Sequence, residues 1–331
     1  MRLCRFGDSR LGLVEGRKVR DVTAALEVLP AYRYPLPGYD PLIANLQEVI
    51  ARIREITDGS PLLDVEGLKL LSPVANPGKI VAAPVNYAKH LSEVASDSQL
   101  NASNPGHTVT IQKAGLFLKA NSSLVGPGEG IALWHLERRN DHEVELAVVI
   151  GKGANNVSRK DALAYVAGYT IGLDISIRGQ EDRSFRKSSD SYTVLGPWLV
   201  TPDEIPDPGQ LTLSITLNGE IRQNSNTKYM TLGVAELIEM ASSFYTLYPG
   251  DIISTGTPEG VSPIVPGDVI VATIERIGSM EVNVRAAQAV GKRGQTALST
   301  PRLVRKVTRL GQAQSSQSPF SAMKYVSGQS R

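Results

Sequence analysis

Apolar side chains recur along this chain with two different periods, and the switches between them mark out its elements. Near the start the period is two. Arg2–Phe6, Leu11–Val14 and Lys18–Val22 read as short strands joined by turns at Gly7-Asp8 and Glu15-Gly16. Over residues 41–57 the spacing lengthens, and Leu42, Ile43, Leu46, Val49, Ile50 and Ile53 share one side of an amphipathic helix. A strand-like stretch, Leu68–Leu71, and the turn Asn76-Pro77-Gly78 follow, which puts a domain boundary near residue 73.

The middle of the chain is dominated by the shorter period. Val144–Val149 is apolar enough for a buried strand. Ser158 with Asp161 predicts a capped helix running to about Ala167, and Tyr169–Ile177 reads as strand. Leu211–Leu217 and Glu220–Gln223 flank Asn218-Gly219, the signature of a tight hairpin. Thr231 is placed to cap a helix over Leu232–Phe244. Two Pro-Gly-Asp turns each launch a strand, Ile252–Ser254 and Val269–Ile274. Strands outnumber helices and do not alternate regularly with them, so the pattern predicts an α+β, mostly-β architecture. Three segments result: a small N-terminal domain over 1–73, a larger domain over 74–286, and a tail over 287–331.

Composition changes this picture in one respect. The formal charge is +2, but eight basic and no acidic residues lie from Ala286 onward, leaving the preceding residues at −6. The tail is rich in Ser and Gln and reads as disordered, with residues 302–310 as a short basic amphipathic stretch. Basic charge confined to a tail gives no support to a nucleic-acid partner. No uncharged apolar run approaches the length of a membrane helix. A single cysteine, Cys4, precludes an internal disulfide and fits a reducing compartment, which points to the cytoplasm.

Candidate chemistry lies in three places. Glu143 and Glu145 stand two apart on the strand Val144–Val149 and so face the same way. Two like charges on one face call for a cation between them, or else form a solvated acidic edge. Asp174 is an isolated acid among apolar strand residues and needs a partner, either a metal or Arg178. Three carboxylates without a Cys or His cluster make an all-oxygen site, which favours Mg²⁺ or Mn²⁺, with Ca²⁺ also suited. His90 and Glu93 are three apart, one helical turn. They read either as a carboxylate-assisted general base or as an incidental surface pair.

Taken in order, Asn86-Tyr87, His90, Glu93, Phe117-Leu118-Lys119, Glu143-Val144-Glu145-Leu146, Gly168-Tyr169, Asp174, Arg178, Lys187, Leu195-Gly196-Pro197-Trp198, Asn218-Gly219-Glu220, Gln223 and Thr255-Gly256-Thr257-Pro258-Glu259-Gly260 resemble the fumarylacetoacetate hydrolase family over roughly residues 79–285. The resemblance implies a mixed β-roll, usually dimeric, with Glu143, Glu145 and Asp174 as metal ligands. It implies His90 and Glu93 as a water-activating dyad on a lid segment, and Lys187 as the lysine that steadies oxyanion or enolate charge. Thr257 and Gly256 match the loop that receives the substrate carboxylate. Arg178 and Gln180 are the further substrate-binding candidates. Where the family usually has Asp and then Gln after the arginine, this chain has Gly179 and Glu181, with Gln180 one place early, which implies an altered distal pocket. Arg178, Arg183 and Arg186 are all candidates to reach its far end. The polar segment Val94–Gly115 reads as a mobile lid. The activity so implied is metal-dependent hydrolysis of an acylpyruvate-type 2-oxo acid. The alternatives are decarboxylation or isomerisation of a 2-oxo or 2-hydroxydienoate diacid and, more remotely, a metal-binding protein without activity.

Overall fold

The structure, a computed structural model, describes residues 1–101 and 109–288. The basic tail predicted from residue 287 lies almost wholly outside the described residues, as does part of the lid segment. Residues Met1–Gln288 make one compact unit.

The alternating N-terminal pattern forms a meander of three antiparallel strands, β1 (Arg2–Phe6), β2 (Arg10–Glu15) and β3 (Lys18–Asp21). The predicted helix over 41–57 is two helices, α1 (Pro41–Ala44) and α2 (Leu46–Ile56). Asp40 caps the first, its Oδ1 accepting from Ile43 N at 3.0 Å. Asn45 ends it by donating its side-chain amide to Pro41 O at 2.8 Å, the local competition with helix bonding typical of Asn. Two short strands, β4 (Leu62–Asp64) and β5 (Leu70–Leu71), complete the first 73 residues.

The chain then runs through β6 (Ile80–Ala82), the helices α3 (Ala88–Ser96), α4 (Ser98–Asn101) and α5 (Ile111–Ala114), and the strands β7 (Phe117–Lys119), β8 (Leu124–Val125), β9 (Ile131–Leu133) and β10 (Asn140–His142). Next come β11 (Val144–Ile150), β12 (Val166–Asp174), β13 (Ser176–Ile177), α6 (Arg183–Arg186) and β14 (Thr193–Val200). The last part holds β15 (Thr212–Leu217), β16 (Glu220–Asn226), α7 (Val234–Phe244), β17 (Ile252–Ser254), β18 (Ser262–Pro263), β19 (Val269–Ile274) and β20 (Gly278–Ala286). The hairpin turn carries positive φ at both Asn218 and Gly219, as its residues demand.

One mixed sheet of 12 strands organises the whole, in the order β4-β3-β2-β1-β14-β12-β11-β17-β6-β7 with β5 and β8 attached at its sides. β1 pairs antiparallel with β14, so hydrogen bonding continues without a break between the first 73 residues and the rest. β11 and β12 lie at the middle and are buried on both faces. Val144, Leu146, Val148 and Ile150 point into the larger core, while Ala147 and Val149 point into a second core built with α2. That double burial accounts for the near-continuous apolar run of β11, which alternation alone cannot classify.

Three expectations shift. The side chains of Ser158 and Asp161 bond each other at 2.7 Å, but only a 3-10 turn over Ala162–Tyr165 follows, because Tyr165 O and then β12 from Val166 are taken up in pairing with the end of β11. Thr231 does not cap α7. Its N–H goes to Asn86 O at 2.7 Å, and the helix begins after Gly233, whose N–H is accepted by Glu236 at 2.9 Å. Within Val94–Gly115, read as a lid or loop, the described residues include the short helices α4 and α5, where Leu100 and Ile111 are 4% and 1% exposed.

Candidate metal centre

Glu143 sits at the joint between β10 and β11, and Glu145 two residues on, so both side chains leave the same face of the sheet. Glu145 is paired across the ladder with Gly172 of β12. Asp174, two further along β12, therefore projects to that face as well. Its N–H bonds Glu143 O at 2.9 Å, locking the register. All three carboxylates are 2–3% exposed, and one oxygen from each lies within 4.8 Å of the others.

Cations hold two of the three. Lys187 Nζ donates to Glu143 Oε2 and to Asp174 Oδ2, both at 2.7 Å. Lys119, from the edge strand β7, donates to Asp174 Oδ1 and to Tyr192 O. Arg178 bridges Glu143 Oε1 and Asp141 Oδ2, again at 2.7 Å each. Burial alone would raise the Glu143 carboxyl, but Lys187 and Arg178 outweigh it and hold the group well below the ordinary carboxylate range. Glu145 is different. It receives only neutral donors, the Ser254 hydroxyl and Gly256 N–H at 2.9 Å. Burial and the nearby Asp174 push it up to about 8. Burial lowers Lys119 against the pull of Asp174. The donor set is thus all oxygen, buried and short of positive charge at Glu145, which fits a hard divalent cation.

The predicted dyad faces this cluster. His90 and Glu93 share one turn of α3, with His90 Nδ1 to Glu93 Oε2 at 2.8 Å; the other Glu93 oxygen accepts Gly260 N–H at 2.9 Å. His90 is 4% exposed and lines the same pocket as Glu143, Glu145, Asp174, Lys187 and Thr257. Val85, on the pocket wall, holds φ at +42°, a conformation costly for a β-branched residue. Gly256 is in the left-handed region, and a Cβ there would come within 2.8 Å of Asn86 Cβ, so the turn before Thr257 admits only glycine.

The remaining candidates divide. Arg178 lines the pocket, yet its guanidinium is engaged by Asp141 and Glu143, not by Asp174. Gln180 is not among the pocket's lining residues; it borders a separate hollow with Lys113 and Glu181. Four residues of the site received no role from the sequence: Lys119, Ser254, His142 and Gln223. Gln223 is fully buried. Its carbonyl accepts Val144 N–H at 3.0 Å and its amide donates to Thr257 Oγ1 at 2.9 Å, tying the ligand strand to the Thr257 loop. His142 joins it at 3.3 Å and binds Ser262 Oγ at 2.7 Å; burial pushes this imidazole down to about 4. Lys119 and Gln223 stand in stretches whose order was informative, but nothing in their spacing marks their contacts.

Residues 79–285 match the family model described as Fumarylacetoacetate (FAA) hydrolase C-terminal. The chain belongs to the fumarylacetoacetate hydrolase family. It is 61% identical over 286 residues to the maleylpyruvate hydrolase of Aquipseudomonas alcaligenes, spanning 86% of this chain and all of that one. It is 39% identical over 230 residues to a mitochondrial oxaloacetate tautomerase of Rattus norvegicus, covering 66% and 70% of the two chains. Among solved structures, maleylpyruvate hydrolase from Sphingobium sp. SYK-6 in complex with manganese(II) and pyruvate matches with a TM-score of 0.74 at 37% identity, covering 87% of this chain and all of that one. In this member of the fumarylacetoacetate hydrolase family, His90 and the three carboxylates line one pocket, with Glu93 behind His90.

Proposed function

We propose that this chain hydrolyses a maleylpyruvate-type acylpyruvate in aromatic-compound breakdown, with Mg²⁺ or Mn²⁺ held by Glu143, Glu145 and Asp174; Ca²⁺ suits the same donors. The observation that carries the proposal is the His90–Glu93 pair facing three buried carboxylates, in a chain 61% identical to the full length of a maleylpyruvate hydrolase. Glu143, Glu145 and Asp174 would hold the cation, which when bound would supply a Lewis acid that draws charge away from the bond to be broken.

The chain's own groups do the rest. His90 takes a proton from water through its free Nε2, while Glu93 fixes the ring and stabilises its charged form. The hydroxide adds to the distal carbonyl carbon. The bond from that carbon to the methylene then breaks, and its electron pair remains on the methylene as pyruvate enolate. The proton on His90 returns to the former methylene, which becomes the methyl group of pyruvate, and the distal fragment leaves as a carboxylic acid. Lys187 offsets the developing enolate charge. Thr257, presented by its glycine turn, receives the substrate carboxylate.

A second reading, tautomerisation of oxaloacetate-like diacids, is supported by the likeness to the rat enzyme and uses the same proton carrier. The first reading also makes the protein a cytoplasmic homodimer, without nucleic-acid or membrane partners; light scattering of the full chain tests the dimer. The activity is tested by incubating the full chain and Mn²⁺ with maleylpyruvate, fumarylpyruvate, acetylpyruvate and oxaloacetate, with products identified by mass. Release of pyruvate with maleate or fumarate is expected. Tautomerised oxaloacetate without pyruvate from any acylpyruvate would replace the first reading with the second.

A further inference from the structure

The hydrolysis proposed above leaves two pocket arginines without a task. α6 is a single turn, started by Asp182, whose Oδ1 accepts Ser184 N–H at 2.8 Å. Its first and fourth residues, Arg183 and Arg186, share one side. Both line the metal pocket, whereas Phe185 between them is turned outward and 76% exposed.

Neither guanidinium has a carboxylate within ion-pair distance among the described residues, in contrast to Arg178, which is committed to Asp141 and Glu143. Arg186 is 5% exposed. It gives one N–H to Ile177 O at 3.1 Å, and its Nε is buried without any partner. Burial and the neighbouring Arg178 push its pKa down to about 10, so the group is still charged at neutral pH. A buried cation with an idle donor, beside a second cation, is costly unless an anion comes to meet it. A guanidinium fork matches a carboxylate in shape as well as charge. The pocket lining also includes the apolar Val94, Leu100 and Phe117, which suit a short carbon chain between two charged ends.

We infer that Arg183 and Arg186 clamp a second carboxylate at the far end of the substrate, so that this site selects acylpyruvates ending in an acid over those ending in a methyl group. The inference rests on the acylpyruvate reading for its biological setting, but the clamp itself is a binding property and is measured separately.

The test uses the full chain loaded with Mn²⁺ and two unreactive 2-oxo acids, 2-oxoadipate and 2-oxohexanoate, which differ in the terminal carboxylate. Calorimetry should show wild type preferring the diacid by about 10- to 100-fold, the range for a charge-assisted contact. Arg183→Gln, at a half-buried position, and Arg186→Lys, which keeps the charge but not the fork, should each remove most of that preference. Pyruvate binding should be unaltered in both. Wild type that binds the two acids equally, or binds neither, overturns the clamp; so do variants that weaken both acids alike. A diacid preference that depends on the arginines, in a protein that releases no pyruvate from any acylpyruvate, leaves the clamp standing and removes the hydrolase reading instead.

Discussion

Replacing Glu93 by glutamine should harm catalysis more than replacing it by alanine. Glu93 gives one oxygen to Gly260 N–H and the other to His90 Nδ1; a carboxylate only accepts, which assigns the His90 hydrogen to Nδ1 and leaves Nε2 to take a proton. Glutamine has one oxygen. If Gly260 N–H is to be satisfied, the amide NH₂ must face Nδ1, which turns that nitrogen into an acceptor and moves the ring hydrogen to Nε2. The base is then blocked in place. In serine proteases the same inversion beside a catalytic histidine costs about 10⁴-fold in kcat, roughly 5 kcal/mol at 1.36 kcal/mol per decade. Alanine removes a charge-assisted hydrogen bond but leaves the ring free to choose its tautomer. Such a bond is worth about 1.5–3 kcal/mol, and the lower end applies because the Glu93 side chain is 26% exposed, so a loss of about tenfold is expected. Steady-state kcat for pyruvate release at saturating Mn²⁺, with metal affinity measured alongside, separates the cases. Glu93→Gln milder than Glu93→Ala, or either variant acting mainly on metal affinity, would refute the assignment of His90 Nε2 as the base.

Other expectations concern the carboxylates and their supports. Because Glu145 is pushed up to about 8, it must lose a proton to ligate, so Mn²⁺ affinity should climb as pH rises from 6 to 8 and level off above. The sign for metal-free stability is the reverse. The folded chain holds a proton at Glu145 that the unfolded chain, with an ordinary value of 4.5, has released, so stability should fall as pH rises across that window; denaturant titrations at pH 5, 6.5 and 8 would show it. Glu143→Gln leaves Lys187 and Arg178 buried with one partner fewer each, and should cost about 3–5 kcal/mol in chemical denaturation, as well as Mn²⁺ binding by calorimetry. Gln223→Leu strands Val144 N–H and frees Thr257; a loss of about 1–3 kcal/mol in stability with a raised KM, and a much smaller change in kcat, is expected.

The parts of the molecule that sequence reading placed well are those where one local rule decides. The N-terminal meander, the Asn218-Gly219 hairpin and both Pro-Gly-Asp strands follow from alternation and turn residues. The i, i+2 rule put Glu143 and Glu145 on one face, and helical spacing put His90 beside Glu93. What failed were choices settled by distant partners. Thr231 was a sound cap by its own chemistry, but Asn86, far away in sequence, binds the backbone N–H groups of both Thr231 and Leu232, and the helix starts only after Gly233. Ser158 and Asp161 met as expected, but strand pairing with β11 ended the turn. Asp174 had Arg178 as its nearest basic neighbour in sequence, yet Lys119 and Lys187 reach it because β7 and the chain after α6 come alongside. Gln223 has no local signal at all, since its role exists only once the hairpin and the loop after β17 are both folded.

The three acids lie on or beside adjoining strands at the heart of a 12-stranded sheet, whereas Arg183 and Arg186 belong to one short helical turn that is no part of it. The proposed ion capture and the proposed chain-end selection therefore fall to regions with very unequal tolerance of change. A substitution in β11 or β12 disturbs two cores at once. One in the turn at 183–186 alters little beyond its own reach. Directed evolution toward new acyl groups should therefore begin in that turn, outside the sheet that carries the three carboxylates.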